Sequence, residues 1–323
     1  MVAKTDLPFR APVREWFKDA LGEPTRAQSL GWPPITRGES TLILAPTGSG
    51  KTLAAFLSAI DRLAFSPAKN GVSLLYVSPL KALAVDVERN LRAPLGGVLD
   101  RASNHPKLGV RELSVFVRTG DTPQAERVRA LKHPPDILIT TPESLYLMLT
   151  SGAQKILSTI DTVIVDEIHQ LVATKRGAHL FVSLERLEAL RPKTARPLQR
   201  IGLSATQRPL DEVARALGGY DVEGAARPVT IVDAGAKKDI KLFVSTPDID
   251  MARLGEVEED PRGSASRGAP KTSIWPHLHQ KIVGLVREHR STMVFVNSRR
   301  LAERLATALN EVAGEEIALA HHG

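Results

Sequence analysis

The sequence contains no cysteine, which excludes disulfide bonds, thiolate metal sites and a cysteine nucleophile. Aromatic residues make up only 4% of the chain, so clusters of rings on which bases could stack are not evident. No apolar run approaches the ~18 residues of a membrane-spanning helix, and the amino terminus has no apolar core of signal-peptide length. We therefore expect no membrane partner and a cytoplasmic location.

The composition is that of a globular protein. With 323 residues, 42% of them hydrophobic and 24% charged, the chain is long enough to form two domains around real cores. Lys and Arg number 43 against 36 Asp and Glu, which gives a formal charge of +7. A basic surface favours polyanions through counterion release, but this is weak evidence, because many basic proteins never bind one.

Short apolar runs alternate with helix-period segments between Gly38 and Thr206. This alternation predicts an α/β fold with a parallel sheet covered by helices, and in such sheets ligands bind where the strands end. The predicted strands are Thr41–Ala45, Ser73–Ser78, Leu113–Val117, Asp136–Thr140, Thr162–Asp166 and Arg200–Ser204. The predicted helices include Leu53–Leu63, Ala82–Leu91 and Ala178–Leu190.

The pattern changes after about Val232. Residues 236–273 are expected to form a connector that enters a strand within Ala234–Thr246, followed by a flexible Gly/Ser/Pro-rich loop at Glu256–Thr272. We thus predict a first domain at 1–235 and the start of a second at 274–323. For that second domain the predicted elements are helices Trp275–Glu288 and Arg299–Val312 and strands Thr292–Val296 and Glu316–Ala320.

A glycine-rich loop follows the first predicted strand and opens a helix. Glycines let main-chain N–H groups converge on a phosphate chain, and the helix start favours its negative charge. Lys51 is expected to reach the β- and γ-phosphates, and the Thr52 hydroxyl to complete a Mg²⁺ shell. A chance Lys-Thr after an ordinary turn is the weaker interpretation, because strand, loop and helix follow in the right order. The loop comprises Ala45, where the usual pattern has Gly, then Pro46, Thr47, Gly48, Ser49, Gly50, Lys51 and Thr52.

Two adjacent carboxylates, Asp166 and Glu167, end a buried strand. Burying charge is costly, so this pair is hard to explain by structure alone. Beside a phosphate-binding loop, Asp166 is expected to hold Mg²⁺ and Glu167 to orient or deprotonate the attacking water. We interpret His169 as a structural hydrogen-bonding residue.

These motifs resemble those of superfamily 2 DEAD/DEAH-box-type helicases, in the family's order. APTGSGKT resembles motif I, DEIH motif II and LSAT (203–206) motif III. The segments VREWFKDALGEPTRAQSLGWPPI, SPLKALAVD and KRG (175–177) are similar to the large helicase-related (Lhr) proteins. The resemblance covers almost the whole chain. Further matching stretches are Pro24–Gln28 (Q motif), Pro79–Leu83 (Ia), Thr141–Ser144 (Ib), Arg118–Asp121 (Ic), Phe295–Ser298 (IV) and Ala320–Gly323 (IVa).

The resemblance implies a RecA-like fold and an ATP-dependent, Mg²⁺-dependent helicase or translocase. Gln28 would read the adenine edge, and Ser204, Thr206 and His169 would couple the nucleotide to a nucleic-acid strand. Single-stranded DNA is the favoured partner, RNA or a hybrid remains open, and we expect a monomer. Nucleic-acid contacts are assigned to Pro79, Lys81, Thr119, Gly120, Thr141, Pro142 and Asn297.

Two alternatives remain. A P-loop nucleotide kinase or simple phosphatase would leave Gln28, LSAT and the ordered backbone-binding motifs without an explanation. Alternatively, the polypeptide binds ATP and nucleic acid without useful turnover, because motifs V and VI, which carry the family's opposing arginine, do not occur before Gly323. On that ground we expect an incomplete second RecA-like domain and weak hydrolysis. A basic stretch at Arg191, Lys193, Arg196 and Arg200 is interpreted as a solvated loop.

Overall fold

The structure, a computed structural model, describes residues 7–205, 208–235, 241–244 and 274–321. The chain divides into two compact units, Met1–Lys237 and Lys238–Gly323. The predicted loop Glu256–Thr272 and the candidate residue Thr206 lie outside the described residues.

The first unit is built on one parallel seven-stranded sheet, in the order β3-β4-β2-β5-β6-β1-β7. This confirms the predicted α/β class, and all six predicted strands are present with small shifts at their ends. The seventh strand, β7, was not predicted. The strands are β1 (Thr41–Leu44), β2 (Leu74–Val77), β3 (Val115–Arg118), β4 (Ile137–Thr140), β5 (Thr162–Val165), β6 (Gln199–Ser204) and β7 (Thr230–Asp233).

Nine α-helices and one 3₁₀-helix, Gly152–Ile156, complete the described part of this unit. The three predicted helices are confirmed, and all three are longer than expected. None of the described helices combines the length and apolar character needed to cross a bilayer. The helices are α1 (Ala11–Leu21), α2 (Arg26–Thr36), α3 (Lys51–Ala64), α4 (Lys81–Ala102), α5 (Gln124–Lys132), α6 (Pro142–Leu149), α7 (His169–Val172), α8 (Lys175–Leu190) and α9 (Leu210–Gly218).

Both faces of the central strands are buried, which explains their nearly continuous apolar sequences. Successive side chains point to opposite faces, so Ile43 joins one hydrophobic cluster, whereas Leu42 and Leu44 join the other. Helices cover each cluster. The sheet is therefore a rigid platform whose carboxyl edge presents the turns.

The interpretation of the basic stretch as a solvated loop is wrong for Arg200, because this residue is only 1% exposed. Its Nη1 donates to Glu185 Oε1 at 2.8 Å and to the carbonyl oxygens of Leu217 and Gly218, and Arg227 pairs with the same Glu185. Burial alone would raise the pKa of Glu185, but the hydrogen bonds from the two arginines hold it below its usual range. The network joins α8, β6 and α9.

We expect Arg200→Met to destabilise the first unit by about 3 kcal/mol. Removing one partner of a buried ion pair typically costs ~3–5 kcal/mol, and the low end applies because Glu185 keeps Arg227. For a unit of this size, this lowers the midpoint of thermal unfolding by about 6–12 °C. Arg215→Met is the control, because Arg215 forms an exposed pair with Glu212 on one helix, and it should shift the midpoint by no more than ~2 °C. Equal shifts for the two variants in a thermal melt would contradict a structural role for Arg200.

The described residues of the second unit contain two α-helices, α10 (Ile274–Glu288) and α11 (Arg299–Ala313), as predicted. Val283, Leu305 and Leu309 form their small buried cluster. The predicted strands Thr292–Val296 and Glu316–Ala320 are wrong for the described residues, as is the strand predicted in the connector at 241–244, because no described residue pairs with them in a ladder. An apolar, β-branched sequence favours extended backbone, but hydrogen bonding to a neighbour makes a strand. The remainder of that connector lies outside the described residues.

Candidate functional site

The turns at the carboxyl edge of the sheet fall into two neighbouring groups. Ser204 is the last residue of β6, and the turns after β5 and β1 contain Asp166 and the glycine-rich loop, respectively. The turns after β3, β4 and β2, with the helix starts that follow two of them, contain the residues of this unit that are assigned to nucleic acid. Since β2 pairs with β5, the two groups adjoin along one edge.

The glycine-rich loop adopts a backbone that its glycines permit. Gly48 and Gly50 have φ of 79° and 76°, a left-handed conformation that side chains rarely adopt. The loop begins at Ala45, whose N–H donates to the Ser204 carbonyl at 3.1 Å, continues through Pro46, Thr47 and Ser49, and ends where α3 starts at Lys51. The first amides of α3 have no intrahelical acceptor, so the loop presents N–H groups at a helix start.

The side chains of Gln28 and Thr25 donate hydrogen bonds to the backbone of this loop. They form a reciprocal capping box at the start of α2. The Thr25 hydroxyl donates to Ser49 O at 2.7 Å, and Gln28 Nε2 donates to Gly50 O at 3.4 Å. The Gln28 amide therefore contacts the glycine-rich loop itself. Its contact with the adenine edge stays a prediction. Thr25 was missed, although Thr three residues before Gln at a helix start is a recognisable sequence signal.

Lys51 and Thr52 are the first residues of α3, and the Lys51 side chain is almost completely buried. Its Nζ lies 3.5 Å from Glu167 Oε1, so the loop and the acidic turn meet as predicted from the strand ends. The hydroxyl oxygens of Ser49 and Ser204 are buried and have no hydrogen-bond partner among the described residues, although buried polar atoms are normally satisfied. Orphaned hydroxyls, a buried ammonium group and left-handed glycines fit a bound phosphate chain.

Asp166 is held by Tyr76, a residue that the sequence did not single out. The Tyr76 hydroxyl donates to Asp166 Oδ2, and the Glu167 N–H donates to Oδ1 at 2.9 Å. Burial raises the pKa of Asp166, and the Tyr76 hydrogen bond opposes that shift. Burial also holds the pKa of Tyr76 well above its usual range, so its hydroxyl stays a donor. A tyrosine inside a fully buried strand needs an acceptor, and this was the available signal.

Glu167 has φ of 45°, the one positive φ among the described non-glycine residues. Such a backbone costs ~1–3 kcal/mol and is typical of functional positions. It directs the carboxylate between Lys51 and His169, whose Nδ1 lies 3.3 Å from Glu167 Oε2 and also accepts from the Ala205 N–H at 3.4 Å. His169 thus contacts both the acidic turn and the turn after β6, and its coupling role stays a prediction.

In the second group, Lys81 lies at the start of α4 and pairs with Asp121, with Nζ–Oδ2 at 2.8 Å. A Cβ added to Gly120 would lie 3.6 Å from Lys81 Nζ, so the turns after β2 and β3 are in contact. Thr119 is buried, and its carbonyl and that of Gly120 accept from Arg127. The side chain of Lys81 is more than half exposed, so it is accessible to a phosphate.

The turn after β4 supplies Thr141 and Pro142, which begin α6. Thr141 is buried and its hydroxyl donates to Ser144 Oγ at 3.3 Å. Arg176, another residue not assigned a role from the sequence, contacts both Glu143 and the carbonyl oxygen of Pro79. Asn297 is exposed before α11 in the second unit.

Comparison with known proteins identifies this arrangement. A family profile described as DEAD/DEAH box helicase matches residues 25–213, more than half of the chain. The chain belongs to this helicase family.

Lhr helicases are among its relatives. It is 53% identical over 310 residues to an Lhr helicase and probable uracil glycosylase of Mycolicibacterium smegmatis, covering 95% of this chain and 19% of that protein. It is 46% identical over 312 residues to the Lhr helicase/uracil glycosylase of Escherichia coli, covering 94% and 20%. The chain therefore spans about a fifth of the length of these relatives.

A solved structure of an Lhr helicase is similar to this chain as well. Mycobacterium smegmatis helicase Lhr bound to ssDNA and AMP-PNP superimposes with a TM-score of 0.74 at 52% identity, covering 98% of this chain and 38% of that one. A RecA-like sheet with its phosphate loop is the fold expected of this family.

Proposed function

We propose that this chain binds ATP and a nucleic-acid strand on the two halves of one sheet edge, as part of an ATP-driven translocase that separates duplexes. The observation that supports this most directly is the meeting of Lys51 with the Asp166–Glu167 turn beside the glycine-rich loop. The similar Lhr structure was solved with ssDNA and AMP-PNP, an analogue of ATP. The whole motor's activity is proposed because the chain spans a fraction of its relatives.

Magnesium is the second ligand that we propose. The described residues contain no group of three or more His, Asp or Glu that could hold a metal by themselves. Thr52 and Asp166 would therefore share the ion with phosphate oxygens and water, which is the coordination that Mg²⁺ prefers. Bound there, Mg²⁺ would neutralise the charge that develops on the phosphates. Lys51 binds and orients the phosphate chain, and Glu167 accepts the proton of the attacking water.

The nucleic-acid half has the chemistry of backbone recognition. It offers a lysine, threonines and main-chain groups, which bind phosphate and sugar without distinguishing bases. We favour single-stranded DNA because the similar Lhr structure holds it, and RNA is the alternative. One sheet supplies both halves, so we also propose that a single copy suffices, which light scattering with and without DNA would measure.

The direct experiment is ATP hydrolysis by the purified chain with and without single-stranded DNA, together with titration of a fluorescent ATP analogue. Binding of both the ATP analogue and single-stranded DNA supports the proposal, and whatever hydrolysis occurs should be faster with DNA than without it. A chain that phosphorylates a small acceptor, or that hydrolyses ATP rapidly and at the same rate with and without DNA, would indicate a nucleotide kinase or a simple phosphatase.

Affinity for the strand should be nearly independent of base sequence and should weaken steeply with salt. With about three to five phosphates neutralised, the slope of log affinity against log salt for a single strand should be roughly −2 to −4. Fluorescence anisotropy with labelled oligonucleotides of different sequence at several salt concentrations gives both quantities. A strong preference for one sequence would contradict backbone recognition.

A further inference from the structure

Arg176 bridges the turns that follow β2 and β4. Its Nη1 donates to the Pro79 carbonyl oxygen at 2.6 Å, while Nε and Nη2 form a two-point pair with the Glu143 carboxylate, with Nη2–Oε2 at 3.0 Å. The hydrogen bond from Arg176 lowers the pKa of Glu143, so this carboxylate is charged. The two side chains are 38% and 57% exposed, and ion pairs this exposed contribute little to stability. The bridge therefore has a role other than stability.

The same arginine is fixed to the catalytic turn. Thr174 caps α8: its Oγ1 accepts from the Gly177 N–H at 3.0 Å and donates to the Leu171 carbonyl at 2.8 Å. A Cβ on Gly177 would overlap the Leu171 carbonyl oxygen, so α7 and α8 touch backbone to backbone. The corner formed by α7 and the start of α8 begins just after Glu167 and includes Arg176. These contacts therefore hold Arg176 in a fixed position relative to Glu167.

The negative charge of Glu143 is a second reason for its pairing with Arg176. Glu143 is the second residue of α6, beside the Thr141–Pro142 turn that would meet a phosphate. An unpaired carboxylate there would repel the strand, and Arg176 neutralises it. Only a guanidinium can pair with a carboxylate at two points and still donate to a carbonyl, because lysine offers a single compact ammonium group.

We propose that Arg176 is a positioning residue for nucleic-acid binding. It holds the Pro79 and Thr141 turns at a fixed spacing, neutralises Glu143, and ties that spacing to the corner that carries Glu167. It acts through these turns and does not itself contact a phosphate. This inference rests on the proposed function, since the turns matter only if they bind a strand.

The test measures single-stranded DNA affinity and its salt slope, with ATP-analogue affinity alongside, in the full 323-residue chain. Arg176→Lys keeps the positive charge but loses the planar guanidinium that binds Glu143 at two points. We therefore expect about five- to ten-fold weaker DNA binding. ATP-analogue affinity should stay within about two-fold and the slope should not change, because no direct phosphate contact is lost. Parental DNA affinity in this variant would overturn the inference.

Arg176→Gln separates positioning from direct contact. It should bind DNA more weakly than Arg176→Lys, because the unneutralised Glu143 carboxylate repels the strand. Adding Glu143→Gln should recover part of that loss and keep the parental salt slope, because the pair then has no net charge, as in the parent. A slope smaller by about 0.7 in the double variant would show that Arg176 itself neutralises a phosphate, and would overturn the inference. A double variant weaker than Arg176→Gln would do the same.

Arg92→Lys is the matched control. Arg92 forms a comparable two-point pair with Glu88, at 3.1 and 3.3 Å, but within α4 alone. It should bind DNA as the parent does, and a loss equal to that of Arg176→Lys would overturn a specific role for Arg176. If the parent itself fails to bind DNA, the proposed function is overturned and this inference with it, whereas a binding parent with a normal Arg176→Lys variant contradicts the inference alone.

Discussion

Glu167→Gln is expected to remove nearly all hydrolysis while leaving ATP binding intact. The amide keeps the size and backbone of Glu167 but cannot accept a proton from water, and a positioned general base contributes ~10²–10⁴-fold in rate. Binding survives because Glu167 acts on the water and not on the phosphate chain. Single-turnover phosphate release with protein in excess over ATP registers the slow rates involved.

The control for this variant is Glu126→Gln, an exposed glutamate on α5 that should leave the rate unchanged. Hydrolysis at the parental rate by Glu167→Gln would mean that another group activates the water. Loss of ATP-analogue binding by the same variant would assign Glu167 a binding role and contradict the division of labour proposed for this turn.

Lys51→Ala is expected to weaken nucleotide binding more than 100-fold. The buried ammonium group would make charge-assisted hydrogen bonds to two phosphates, each contributing ~1.5–3 kcal/mol, and ~1.4 kcal/mol corresponds to a tenfold change. The substitution also leaves Glu167 without its cation, 3.5 Å away in the parent, and so adds repulsion toward the phosphates. Titration with a fluorescent ATP analogue measures the loss.

Lys132→Ala, at the exposed end of α5, removes the same charge far from the loop and should bind the analogue as the parent does. If Lys51→Ala retained parental affinity, the glycine-rich loop would be misassigned. A thermal melt separates loss of binding from loss of fold, since Lys51 is buried.

Six strands of the sheet could be predicted because each is an apolar run between a turn and an amphipathic helix. β7 could not, because it is a half-buried edge strand of four residues that a long irregular segment separates from α9. The opposite error occurred at Thr292–Val296, where the local sequence is that of a strand and the described residues provide no partner. Local sequence predicts extended backbone, and pairing is a property of the neighbours.

The approach of Lys51 to Glu167 followed from the rule that strand ends of a parallel sheet meet at one edge. Contacts that depend on side-chain reach did not follow from any rule. Tyr76 and Arg176 lie 90 and 33 residues from Asp166 and Glu143, their respective partners, and only the lateral order of the strands and helices brings them together. Spacing along the chain cannot show that order.

The left-handed backbone at Glu167 implies a conflict between the stability of the fold and its catalytic activity. Glycine adopts that conformation without strain, so Glu167→Gly should relieve some of the ~1–3 kcal/mol that the glutamate backbone costs. Selection for thermal stability alone would therefore replace Glu167, and the base that acts on water would be lost with it. A screen of position 167 for heat resistance should enrich glycine or asparagine, and the variants that it enriches should be the ones that no longer turn over ATP.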